Sequence, residues 1–230
     1  MHFFLHNWLI NVIYGKTGAH TTFKVSQDDV RRIKKKIATA KELKIPDIVD
    51  VAESVKQNSE LTQKMIDVMN ERKTWFELNQ DEFIDELIKR LTPHFREYTK
   101  SPFAIIQLKV WATQLSIECY YDEKNRPRGA FREHQDGYPP GHCKCIVYLQ
   151  PLDTEHGQIR LGSTTFESDE AGFSLIFNNY LLHETITGKS KQRYCLEFTF
   201  MRTLKKVDVL KHRNMDTLDA VLPSPLEAYF

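Results

Sequence analysis

The sequence predicts a mixed α+β protein in which a helical first hundred residues precede a β-sandwich or barrel. Three observations predict it. Apolar residues recur at helical spacing as far as Leu91. Beyond Pro102 the apolar runs are short or alternating and are separated by turn-rich spacers. The chain has 230 residues, 41% of them hydrophobic and 27% charged, which is enough for one substantial core without disulfide staples. One structural domain is expected, with a mainly helical support region over 1–102, a β core over 103–202 and a C-terminal strap over 203–230.

Taken in order, residues 9–14 form a strand-like run closed by the turn formers Gly15 and Gly18. Ser26 is an N-cap candidate, with Asp28 and Asp29 placed where carboxylates oppose the positive end of a helix. Val30, Ile33, Ile37 and Ala40 then form one stripe, while Arg31, Arg32, Lys34, Lys35 and Lys36 form a solvated face. After Pro46 a second helix is expected through Val51, Ala52, Val55, Leu61, Met65, Val68 and Met69. A third, capped at Asn79, shows Ile84, Leu87, Ile88 and Leu91 before Pro93. Strands are expected at 103–108, 115–121, 144–149, 158–161, 173–177 and 193–201. The tail is charged and ends in an apolar strap, Pro223 to Phe230, with its last aromatics on the body.

Charge and cysteine usage bound the function. The formal net charge is +1, so no bulk field attracts nucleic acid or an anionic membrane. Cys119, Cys143, Cys145 and Cys195 make no dense framework, and reduced thiols in a cytoplasmic protein are expected. The apolar N-terminus lacks a basic leading region and is broken by His6, Asn7 and Asn11, so it does not read as a signal peptide. No uninterrupted apolar stretch is long enough for a membrane span. Oligomeric state is not legible.

The informative segment is His134-Gln-Asp136 within Arg132 to Asp136. Residues two apart on a strand share a face, so an imidazole and a carboxylate project side by side. His183 follows 49 residues later, far enough for a strand meander to return it as a third ligand. Two histidines and a carboxylate on one face of an octahedral ion leave open positions, the arrangement associated with non-haem Fe(II) oxygenases. Ten residues further, Arg193 opens an alternating run: Arg193, Cys195, Glu197 and Thr199 share one face, and Tyr194, Leu196, Phe198 and Phe200 the other. An inward arginine is costly unless an anion meets it.

His134-x-Asp136, His183 and Arg193, set among β-runs in this order, resemble the Fe(II)- and 2-oxoglutarate-dependent dioxygenases. The likeness extends over about residues 103–202. Tyr148 in Cys145 to Gln150, followed by Gly157 to Leu161, is similar to the prolyl hydroxylase branch, and Cys119-Tyr120 resembles the strand before the metal motif. His156 replaces the first glycine of that branch's Gly-Gly pair. Thr199 stands where the nucleic-acid dealkylases have a second arginine, which disfavours that branch.

The resemblance implies a double-stranded β-helix (jelly roll). Tyr194, Leu196, Phe198 and Phe200 would form a large apolar patch if exposed, so the N-terminal helices are expected to pack on the outer face of the sheet that carries Arg193. The resemblance also implies Fe(II) on His134, Asp136 and His183, with 2-oxoglutarate and O2 as co-substrates. Arg193 would take the distal carboxylate as a bidentate pair, with Tyr148, Tyr120 and Thr199 as further co-substrate residues. The implied activity is hydroxylation of a protein side chain, an amino acid or another small molecule. Halogenation is not implied, because Asp136 fills the position a halide would need. The alternative is a catalytically inert β-helix that binds a ligand or partner; a cupin-like metalloenzyme leaves Arg193 unexplained. Zinc at His142, Cys143 and Cys145, and a nucleophilic Cys195, are weaker local readings.

Overall fold

The computed structural model describes residues 20–43, 67, 70–71, 73–76, 81–99, 107–121, 124–126, 133–134, 142–178 and 181–203. The expected strand at 9–14, nearly all of the second helix, Asn79, Asp136 and the C-terminal strap lie outside them. The elements are β1 (His20–Lys24), α1 (Gln27–Ile37), β2 (Glu42–Leu43), β3 (Lys73–Phe76), α2 (Glu82–Thr99), β4 (Gln107–Cys119), β5 (His142–Tyr148), β6 (Gln158–Leu161), β7 (Thr164–Phe166), β8 (Phe173–Asn178), β9 (His183–Ile186) and β10 (Gln192–Thr203).

Helix α1 begins where its chemistry dictates. The Ser26 hydroxyl accepts from the Asp29 amide at 3.1 Å, and the cap residue itself is extended. Helix α2 departs from expectation at both ends. The Asp81 carboxylate accepts the Ile84 amide at 3.2 Å, and the helix passes through Pro93 to reach Thr99. Proline lacks the amide that would bond four residues back. The Thr92 hydroxyl donates to the Ile88 carbonyl at 2.8 Å, and the buried anchors Leu91, Phe95 and Tyr98 on either side hold the helix together through the break. The two helices are joined by a bidentate pair, with both guanidinium nitrogens of Arg90 2.8 Å from the two oxygens of Asp29. Chiefly through Arg90, the Asp29 carboxyl lies below its usual range.

The strands form a seven-stranded antiparallel sheet, β1-β8-β5-β10-β4-β3-β2, and a three-stranded sheet, β7-β6-β9. A bridge between His134 and His183 continues the small sheet past β9. From β4 onward the chain alternates between sheets: β4 large, His134 small, β5 large, β6 and β7 small, β8 large, β9 small, β10 large. This is the winding of a double-stranded β-helix, an antiparallel jelly roll. Among the described residues, the first hundred hold α1 and α2. They also supply β1 at one edge of the large sheet and β2 and β3 at the other, strands too short to show a period in the sequence.

Two apolar clusters divide on the large sheet. On one side Val30, Ile33, Ile84, Leu87, Leu91 and Phe95 of the helices join Leu115, Cys143, Cys145, Val147, Ile176, Leu196, Phe198 and Phe200 in one core, and Phe95 stacks on Phe200 with centroids 3.3 Å apart. Between the sheets lie Ile146, Tyr148, Leu152, Ile159, Leu161, Leu175, Phe177 and Cys195. No helix among the described residues is long and apolar enough to cross a membrane.

Candidate active site

The candidate site lies on the inner side of β10 where it faces β9. His134 and His183 exchange backbone hydrogen bonds in both directions, each 2.9 Å, and their rings lie 4.3 Å apart between centroids. His183 is buried, with the Phe177 ring against it at 4.9 Å. Its Nδ1 sits 2.9 Å from the Leu181 carbonyl oxygen. A carbonyl only accepts, so Nδ1 carries the hydrogen and Nε2 is the lone-pair nitrogen of the neutral ring. That orientation by a partner on the second nitrogen is what a ligating imidazole requires. Asp136 lies outside the described residues, and among the described residues no group of three metal-ligating side chains is present.

Arg193 is 1% exposed and enters the space between the sheets at the start of β10. Its Nε and Nη2 both donate to Oε2 of Glu118, at 3.0 and 2.5 Å. Nη2 also donates to Thr185 Oγ1 at 2.9 Å, and Nη1 to the Gln158 carbonyl at 3.1 Å. A guanidinium has five N–H donors, so one on Nη1 has no acceptor among the described residues. Burial pulls the Arg193 pKa down, but the Glu118 carboxylate outweighs it and the group stays charged. Thr185 stands two residues after His183 on β9. The threonine that the guanidinium meets is therefore one pleat repeat, about 7 Å along β9, from His183.

Tyr148 lies under this cation. Its ring centroid is 4.9 Å from the Arg193 Cζ, and its hydroxyl is buried with no hydrogen-bond partner among the described residues. Burial pushes the Tyr148 phenol well up, so it is an O–H donor at any ordinary pH. A buried hydroxyl without a partner is uncommon and costs about 1–3 kcal/mol. The position is imposed by strand register, because Tyr148 is opposite Cys195 and both project inward.

Tyr120 is also buried near Arg193, but its hydroxyl donates to the His156 carbonyl at 3.3 Å. That contact explains the surviving glycine: Gly157 has φ +95°, and a Cβ there would meet the Tyr120 hydroxyl at 2.5 Å and the Ile186 carbonyl at 2.7 Å. Thr199 shares the inner face of β10, but six residues along an extended strand put it about 20 Å from Arg193, opposite Lys144 rather than Tyr148. The described contacts do not bring it into the group around the guanidinium.

Three further inward charges, Glu197, Lys73 and Lys144, complete the interior. Glu197 is buried between Lys73 of β3, with which it forms an ion pair, and Lys144 of β5 at 3.5 Å. Burial alone would raise the Glu197 carboxyl, but Lys73 and Lys144 hold it down at about 2. Burial would lower Lys73, and Glu197 with Glu118 outweigh it. Glu118, Thr185 and Lys73 were discoverable only through register: Glu118 is the β4 partner of Arg193, and Lys73 the β3 partner of Glu118. Cys143 and Cys145 are packed in the apolar core on the other side of the sheet, and the Cys195 thiol is pushed up by burial, which keeps it protonated and a poor nucleophile.

No family model matches the chain, and no curated protein matches it. Solved structures do. HygX from Streptomyces hygroscopicus, with nickel, 2-oxoglutarate and hygromycin B bound, superposes with a TM-score of 0.51 at 13% identity, covering 80% of this chain and 83% of that one. A prolyl-4-hydroxylase from Pseudomonas putida gives 0.51 at 15% identity, covering 85% and 98%. An oxidoreductase of the 2OG-Fe(II) oxygenase family from Burkholderia pseudomallei gives 0.52 at 9% identity, covering 91% and 93%. At these identities the likeness is one of fold, and the fold is the one on which solved 2-oxoglutarate and Fe(II) oxygenases are built.

Proposed function

We propose that this chain is an Fe(II)- and 2-oxoglutarate-dependent dioxygenase that hydroxylates a small molecule or a protein side chain. The observation that carries the reading is one juxtaposition. A pair of facing histidines, one with its Nδ1 tied to a carbonyl, lies one pleat repeat along β9 from the threonine that a buried arginine contacts, and that arginine lies over a buried tyrosine whose hydroxyl has no partner among the described residues. A short dicarboxylate with a metal-chelating end spans such a gap. Its far carboxylate would give the Tyr148 hydroxyl and the remaining Arg193 N–H the acceptor they lack.

The donor set suits the metal. Neutral imidazole and carboxylate oxygen are ligands that Fe(II) accepts, and three protein ligands leave positions open for co-substrates. His134, Asp136 and His183 would hold it. When bound, the metal and 2-oxoglutarate would supply the oxidising chemistry, with loss of carbon dioxide and formation of succinate, while the protein orients the groups and excludes water. Arg193 and Tyr148 would fix the distal carboxylate, and Phe177 and Leu175 would keep the pocket dry. Clamping two points of a flexible ligand gives it one orientation at the metal.

A second reading, a β-helix that binds a partner without catalysis, draws on the Glu118 carboxylate already on Arg193, which lets the barrel stand without a ligand. One titration separates the two. Anaerobic addition of Fe(II) or Mn(II) should show one metal per chain, lost in His134→Ala and in His183→Ala. Admission of O2 with 2-oxoglutarate should then release succinate. A wild-type chain that takes up neither metal nor 2-oxoglutarate would sink the enzyme reading, and unchanged metal stoichiometry in both variants would remove the histidines from it.

A further inference from the structure

Glu118 has no part in the dioxygenase reading, although its carboxylate holds the cation on which that reading turns. It lies side-on to Arg193, on the Nε and Nη2 edge, at 3.0 and 2.5 Å. That edge is one a planar guanidinium offers to a bidentate carboxylate. The donors left over, one N–H on Nη1 and the Tyr148 hydroxyl, cannot supply a bidentate pair while Glu118 stays where it is. A second carboxylate brought to the same guanidinium would also meet like charge in a place shielded from water.

The charges around the pair point the same way. Among the described residues, Glu118 and Glu197 share this interior with the cations Arg193, Lys73 and Lys144. A cation is thus in place for the carboxylate that would have to move. Lys73 is the register partner of Glu118 across β3 and β4, and its present partner Glu197 is also held by Lys144.

Resting on the 2-oxoglutarate reading, we propose that Glu118 is a built-in competitor for the distal carboxylate of the co-substrate. Entry of the ligand displaces Glu118 from the Nε and Nη2 edge of Arg193 towards Lys73, and the competition sets how much co-substrate the site requires. Glu118 is thus an affinity-determining residue that leaves the metal ligands untouched.

The test is calorimetric titration of the Mn(II)-loaded protein without O2, using 2-oxoglutarate and, as a control, pyruvate, a 2-oxo acid with no distal carboxylate. Glu118→Gln should tighten 2-oxoglutarate about tenfold or more and change pyruvate less than about twofold. Equal gains for both ligands, or no gain for 2-oxoglutarate, overturn the proposal. Since removing a buried charge can impair folding, the wild-type protein gives a second measurement, a crystal structure with 2-oxoglutarate bound. Glu118 should there have left Arg193, and an intact Glu118–Arg193 pair beside the bound ligand overturns the proposal. If wild type binds 2-oxoglutarate and Arg193→Ala does not, while Glu118→Gln is unchanged, only the competitor fails. If wild type and Glu118→Gln both ignore 2-oxoglutarate, the co-substrate reading fails and takes the competitor with it.

Discussion

The two faces of β10 solve opposite problems with alternate residues of one strand. Outward, Tyr194, Leu196, Phe198 and Phe200 meet the apolar stripes of α1 and α2, and the last three are fully covered. Inward, Arg193, Cys195, Glu197 and Thr199 carry charge and polarity into a space just as dry. The outer face is complete with what the chain itself provides. The inner face is left with a tyrosine hydroxyl that bonds to nothing described. An apolar surface is satisfied by any well-packed neighbour, whereas a polar interior is satisfied only by matched partners. The mismatch is therefore the more informative half of the strand.

Breaking the outer face should give the largest effect. Phe198→Ala removes a fully buried ring from the centre of the helix-facing core. It should lower unfolding stability by about 3–5 kcal/mol, the usual range for such truncations. Urea unfolding followed by circular dichroism would check it. A loss below about 1 kcal/mol would mean that α1 and α2 do not press on this sheet as described.

The inner face should be sensitive to acid instead. The Glu197 carboxyl is held at about 2 against an ordinary value of 4.5. Its folded pKa is depressed, so its contribution is fully present above about pH 4.5 and drains away as the pH falls towards 2. Unfolding midpoints measured from pH 6 downward should therefore drop more steeply for wild type than for Glu197→Gln between about 4.5 and 2. Asp29 titrates in the same direction, but in both proteins alike, and cancels in the difference. Parallel curves would show that Lys73 and Lys144 do not stabilise the carboxylate.

The same contrast explains what was legible in the sequence. Ser26 and Asp29 announced α1 because a cap is a local signal, and the runs at 158–161 and 193–201 announced β6 and β10 because their apolar period is strong. The strands β3 and β9 were missed, since Lys73-Thr-Trp-Phe76 and His183-Glu-Thr-Ile186 lack the polar–apolar alternation of Gln158-Ile-Arg-Leu161, and Pro93 was taken for a helix end because packing on Phe95 is a tertiary fact. In the site, His134, His183 and Arg193 stood out as unusual residues at meaningful spacing. Glu118 and Lys73 did not, because a glutamate or lysine in a sequence is ordinarily a solvated side chain. Only the register of β3, β4 and β10 turns them into partners of a buried arginine.

The smallest effect expected is also the most discriminating, because it has opposite signs in the free and the loaded protein. Tyr148→Phe removes one hydroxyl oxygen from a buried ring and nothing else. In the free protein that hydroxyl makes no hydrogen bond to any described residue, so its removal takes away an unsatisfied polar atom. Thermal unfolding of the variant should then match wild type or improve on it, since losing an unpaired buried group is neutral or favourable. With 2-oxoglutarate present the hydroxyl should donate to the distal carboxylate, and the variant should bind the co-substrate about fivefold more weakly, roughly 1 kcal/mol. A variant less stable than wild type without ligand would mean that Tyr148 has a resident partner, a held water for example, and that the inner face is complete after all. Unchanged stability with unchanged 2-oxoglutarate affinity would instead leave the hydroxyl facing away from the ligand, with Arg193 alone as the anchor.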